Sequence, residues 1–173
     1  AMNVKAILIA CNTATAASVS KVRQLMNQYS MPIISIEPAI KPACALPGTG
    51  KLFMMATLAT TRLNRYLALQ ARMPDPSRVI NIPCPGIVER VEAGIFDDDA
   101  YDDKYFAPYV GTEVDAIVLG CTHYPFIKGA FARNAKRYLR GNCTLIDGSV
   151  GTVRQLERIL DRYKLRNPIG TGR

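Results

Sequence analysis

The 173-residue chain is long enough for one ordinary domain or two small ones, and its 49% hydrophobic content suits a globular protein. Its formal net charge of +8 would suit an anionic partner, but the basic residues are scattered, several at helical spacing as on solvated faces. No recognition motif accompanies them, which argues against nucleic acid; no apolar run approaches the roughly 20 residues of a membrane span, and no secretory leader is visible, so a cytoplasmic protein without a membrane partner is expected.

Residues 4–10 form a continuous branched apolar run, the pattern of a buried parallel strand. A helix is predicted over 14–29, with Val22, Leu25, Met26 and Tyr29 on one face. A second strand follows at 32–36, then a short helix from Glu37-Pro38 toward Leu46 and a Gly-rich turn at 47–50. Further strands are predicted at 51–56, 79–82, 115–119 and 144–147. Helices are predicted over 60–72, 86–93 and 98–110, after Pro125, and over 150–163. The acidic residues Asp97, Asp98, Asp99, Asp102 and Asp103 read as a solvated helix start. Strand and helix alternate throughout, which predicts an α/β protein with parallel sheets and a ligand site beyond the carboxyl ends of the strands.

Two segments of the chain look alike. Ala6-Ile7-Leu8-Ile9-Ala10-Cys11-Asn12-Thr13 and Ala116-Ile117-Val118-Leu119-Gly120-Cys121-Thr122-His123 each run from an apolar strand through a small residue into a cysteine and polar groups. Either cysteine alone reads as a small hydrophobe ending a strand. Together, each ahead of a helix whose dipole favours thiolate, they suggest two bases on opposite faces of one carbon. Asn12, Thr13, Thr122 and His123 supply polar groups beside them, and His123, the single histidine, stands two residues from a thiol as an acid–base partner. Thr57, Thr60 and Thr61 either face the same crevice or cap their loop. Glu89 and Glu92 share a helix side with Gly86, and spacing alone gives them a surface role. The five cysteines are odd in number with no CxxC pair, so neither a disulfide framework nor a metal site is expected.

At this level of detail the chain resembles the glutamate racemases of the aspartate/glutamate racemase family. Ala10-Cys11-Asn12-Thr13-Ala14 and Leu119-Gly120-Cys121-Thr122-His123-Tyr124-Pro125 are similar to that family's two signature segments. Ile36-Glu37-Pro38, Ala56-Thr57-Leu58-Ala59-Thr60, Cys84-Pro85 with Glu92-Ala93-Gly94, and Leu145-Ile146-Asp147 extend the likeness over residues 4–162. The resemblance implies a racemase without cofactor or metal, with Cys11 and Cys121 as the bases and His123 and Glu92 as auxiliary catalytic groups. It assigns glutamate contacts to Asn12, Thr13, Thr57, Thr60, Thr122 and His123, and a role in supplying D-glutamate for peptidoglycan.

The resemblance also implies two α/β lobes with the site between them. Residues 1–39 and 142–173 would form an incomplete first lobe and 40–141 the second. The family's leading segment, with its Asp-Ser-Gly and Pro-Tyr-Gly motifs, has no counterpart here; Pro108-Tyr109-Val110-Gly111 only echoes the latter. A truncated chain of weak or no activity is therefore expected. Alternatives are a racemase of aspartate or a hydantoin, against which His123-Tyr124-Pro125 argues, and a non-catalytic remnant forming a homo-oligomer through exposed sheet edges and apolar faces.

Overall fold

A computed structural model describes residues 4–167 and 169. Six strands, all paired in parallel, form two sheets. Strands β1 (Ile7–Ile9) and β2 (Ile33–Ser35) make the smaller one, flanked by helices α1 (Asn12–Met26) and α8 (Ser149–Arg162). The larger sheet has the order β4 (Val79–Pro83), β3 (Lys51–Ala56), β5 (Val114–Leu119), β6 (Thr144–Asp147). The remaining helices are α2 (Ile40–Cys44), α3 (Leu58–Arg62), α4 (Asn64–Gln70), α5 (Ile87–Glu92), α6 (Asp99–Phe106) and α7 (Lys128–Tyr138).

The two central strands explain the core. Side chains alternate across a strand, so β3 and β5 divide their apolar residues between the faces of the larger sheet. Phe53, Met55, Ile117 and Leu119 pack on one face with Phe106, Tyr124 and Phe131. Leu52, Met54, Ala116 and Val118 pack on the other with Ile40, Ala43 and Tyr66. Burying each large apolar side chain contributes roughly 1.5–3 kcal/mol. The interior strands are thereby fixed, and with them the loops that leave their carboxyl ends.

The structure departs from the sequence reading in four places. The first strand spans only Ile7–Ile9 rather than 4–10. The helix predicted over 60–72 is two helices, because Leu63 is extended (ψ 132°) and breaks the hydrogen-bond ladder between α3 and α4. Helix α1 buries Asn12, Thr15 and Val19, while Leu25 and Tyr29 of the predicted apolar face are 59% and 65% exposed. Asp102, read as solvated, is fully buried against Arg90. The last strand, β6, pairs with β5 in the larger sheet, so that sheet continues to Asp147. A parallel partner is what satisfies the backbone of a strand at this position.

Candidate active site

Each cysteine of the repeated segment follows the carboxyl end of a strand. Cys11 comes two residues after β1 and is the N-cap of α1, its Sγ accepting a hydrogen bond from the Ala14 amide at 3.5 Å. Cys121 comes two residues after β5. Gly120 lets the chain turn there: a Cβ at this position would lie 2.3 Å from Met54 Cε and 2.9 Å from the Met55 carbonyl oxygen. The backbone lies this close to β3 because the Gly120 amide donates to Met55 O at 2.8 Å.

The two thiols differ in surroundings. Cys11 is exposed, whereas Cys121 is 9% exposed. Burial pushes the Cys121 thiol above its ordinary pKa. Backbone amides of His123 and Thr122 aimed at its sulfur work against that rise, and the charge of Cys11 adds to it.

Behind Cys121 stands a relay. Its Sγ is 3.7 Å from His123 Nδ1, and His123 Nε2 is 2.5 Å from Glu92 Oε1. In the tautomer whose Nε2–H donates to Glu92, the Nδ1 lone pair faces the thiol and can take its proton. Glu92 is the last residue of α5, which the turn of Gly86 (φ +86°) starts and Gly94 (φ +76°) ends. Spacing alone placed Glu92 at the surface; the pairing with His123 arises only when the loop after β4 meets the loop after β5.

The threonines form a second cluster. The Thr13 hydroxyl lies 3.1 Å from that of Thr57 and 2.8 Å from that of Thr60, which are 3.0 Å apart. Thr57 also caps α3 through the Thr60 amide. The triad joins the start of α1 to the start of α3, so it ties the small sheet's cysteine loop to the large sheet. Thr122 is half-buried, with its amide facing Cys121. Asn12 is buried and lines a small cavity with Thr15, Glu37, Thr60 and Arg65, its Oδ1 without a hydrogen-bond partner. Across the same cavity Arg65 is paired with Glu37 at 2.7 Å.

The other cysteines stand apart from this chemistry. Cys84 is buried, donates to Ile82 O, and has its thiol driven far up by burial. Cys44 and Cys143 are half-buried and also raised, chiefly by desolvation. Among the described residues no three His, Cys, Asp or Glu side chains converge as a metal site, and no helix is long and apolar enough to cross a membrane.

The profile of the Asp/Glu/hydantoin racemase family matches residues 1–156. The chain belongs to that family. The glutamate racemase of Clostridium acetobutylicum is 40% identical over 169 residues, covering 96% of this chain and 63% of that protein. The glutamate racemase of Clostridium novyi is 43% identical over 169 residues, covering 95% and 62%. The crystal structure of the Francisella tularensis glutamate racemase, in complex with D-glutamate, matches with a TM-score of 0.79 at 28% identity, over 97% of this chain and 61% of that one. The Thermus thermophilus glutamate racemase, in complex with β-chloro-D-alanine, gives 0.70 at 31% identity over 99% and 61%. The chain thus spans a little over three-fifths of the length of these racemases. The α/β architecture expected from strand–helix alternation is the family's own.

Proposed function

We propose that this chain carries the two-base chemistry of a glutamate racemase, interconverting L- and D-glutamate for peptidoglycan synthesis in the cytoplasm. The observation that carries the reading is the pair of thiols beyond the carboxyl ends of β1 and β5, each followed by polar groups. Glutamate is the substrate favoured by relatives about 40% identical that bear that name.

A thiolate at one cysteine removes the α-proton: the C–H bond breaks and an S–H bond forms. The thiol at the other cysteine then delivers its proton to the opposite face, breaking its S–H bond. The enzyme ends with its two protonation states exchanged, so the reverse reaction starts from the other thiolate. Because an α-proton is far less acidic than a thiol, the carbanion-like state needs donors aimed at developing charge and exclusion of water. Asn12, Thr13, Thr57, Thr60 and Thr122 are the groups proposed to hold substrate. His123 and Glu92 adjust the proton on Cys121. The reading puts the site between two lobes.

The test is exchange of the substrate α-proton in heavy water, followed by NMR. Slow exchange with glutamate, lost on Cys11→Ser or Cys121→Ser, is expected. Exchange with aspartate in preference to glutamate sinks the substrate assignment. No exchange, either alone or fused to the leading segment of a relative, sinks the enzyme reading.

A second reading, self-association, draws on exposed apolar residues beside the small sheet, Leu25 of α1, Tyr29 just after it, and Val150 and Val153 of α8. Sedimentation equilibrium decides it: a monomer at high concentration excludes it.

A further inference from the structure

Asp102 is fully buried, yet it is an acid on a helix of mostly polar residues. Its Oδ1 accepts from Arg90 Nη1 at 2.9 Å, and Arg90 Nη2 lies 3.4 Å from Asp98. Arg90 belongs to α5, the same six-residue helix that ends in Glu92. A helix this short has little stability of its own, so its contacts set its orientation. Ile87 and Val91, four residues apart, seat it in the core. Those two lie along one line; half-buried Val88 packs on the same core to one side of it, and the polar side chains share in setting the rotation about that line. Successive residues are about 100° apart around a helix, so Arg90 and Glu92 flank Val91 on its two sides.

We infer that Asp102 is a positioning residue: by holding Arg90 it fixes the rotation of α5 and so sets Glu92 against His123. The inference rests on the reading of His123 and Glu92 as the support of Cys121. Removing a buried carboxylate from its counter-ion is unfavourable, so the pair strongly restricts where Arg90 can go. Any rotation that relaxes Arg90 moves Glu92 by the same angle. Burial also lifts the Asp102 pKa to about 6 in spite of Arg90.

His123 is the only histidine, so its ring nitrogens give unambiguous signals. In the long-range nitrogen–proton spectrum of the neutral ring, Nε2 and Nδ1 are widely separated when one tautomer is held. They move together when both tautomers are populated. Glu92→Ala, which removes the acceptor, gives the reference displacement. Asp102→Asn is expected to move the signals most of the way to that reference, with the backbone spectrum remaining that of a folded protein, and Asp102→Glu is expected to restore part of the separation. A folded Asp102→Asn protein with unmoved His123 signals overturns the inference, as does a Glu92→Ala protein whose signals match the parent. If Asp102→Asn does not fold, Arg90→Lys is read in the same way. The readout needs no turnover, so absence of glutamate exchange would sink the racemase reading and leave this result standing.

Discussion

His123 Nε2 stands 2.5 Å from Glu92 Oε1, while the other ring nitrogen of His123 faces the Cys121 sulfur at 3.7 Å. One imidazole thus connects a thiol just after β5 with a carboxylate at the end of α5. Glu92→Gln keeps the shape and removes the charge. Proton exchange through Cys121 is expected to fall about tenfold, less than the hundredfold or more typical of losing a group that transfers the proton itself. Kinetics from the two enantiomers should respond unequally, because each direction starts from a different thiolate. Equal rates in parent and variant would remove Glu92 from the mechanism.

Cys121 should resist alkylation at neutral pH. Burial raises its pKa, so its thiolate fraction grows only at pH values above those of an ordinary thiol. Iodoacetamide labelling followed by peptide mass spectrometry gives the profile, with a cysteine-containing peptide as reference. A Cys121 midpoint at or below that of the peptide contradicts the assignment.

Thr60→Val tests the hydroxyl triad. Thr60 is fully buried, and its hydroxyl serves both Thr13 and Thr57. An isosteric methyl there leaves a buried hydroxyl with fewer partners, and a loss of about 1–3 kcal/mol is expected by urea denaturation. No loss would mean that the triad does not hold α1 to α3.

Gly120→Ala places a methyl 2.3 Å from Met54 Cε and 2.9 Å from the Ala56 Cβ. The flexible methionine end can yield, but the strand backbone cannot follow it. A destabilisation of about 1–3 kcal/mol is expected. Met54→Ala in the same chain should recover part of it, and additive losses would show that the clash is not with Met54.

The stability of the chain should carry a slope from Asp102. Folding raises this carboxyl from an ordinary 3.8 to about 6, chiefly by burial and against the pull of Arg90. Between those values the folded chain holds a proton that the unfolded chain has released. The contribution of Asp102 therefore falls as pH rises from about 4 to 6 and is level above that. Thermal melts across this range should show the slope in the parent and lose it in Asp102→Asn. A slope that survives the substitution belongs to another group.

The alternation of strand and helix was legible in the sequence because buried parallel strands are continuous apolar runs, as at 52–56 and 116–119. The two cysteine segments were legible for a related reason: polar residues directly after such runs fall at strand carboxyl ends, where α/β proteins place their sites. Helix faces were read less well. Spacing gave α1 a stripe of Val22, Leu25, Met26 and Tyr29, but the side turned to the neighbouring elements carries Asn12, Thr15 and Val19. Hydrophobicity alone does not register which side of a helix its neighbours cover.

What the sequence determined by itself was therefore the class of fold, the order of its elements and the two thiols, all of which follow from local pattern. Tertiary structure alone decided that Glu92 meets His123, that Thr13 meets Thr57 and Thr60, and that Asp102 is buried under Arg90. These contacts join residues 12 to 47 positions apart. They exist because parallel strands bring the loops at their carboxyl ends to one edge of the sheet, and the charge of a side chain carries no mark of the partner it will find there.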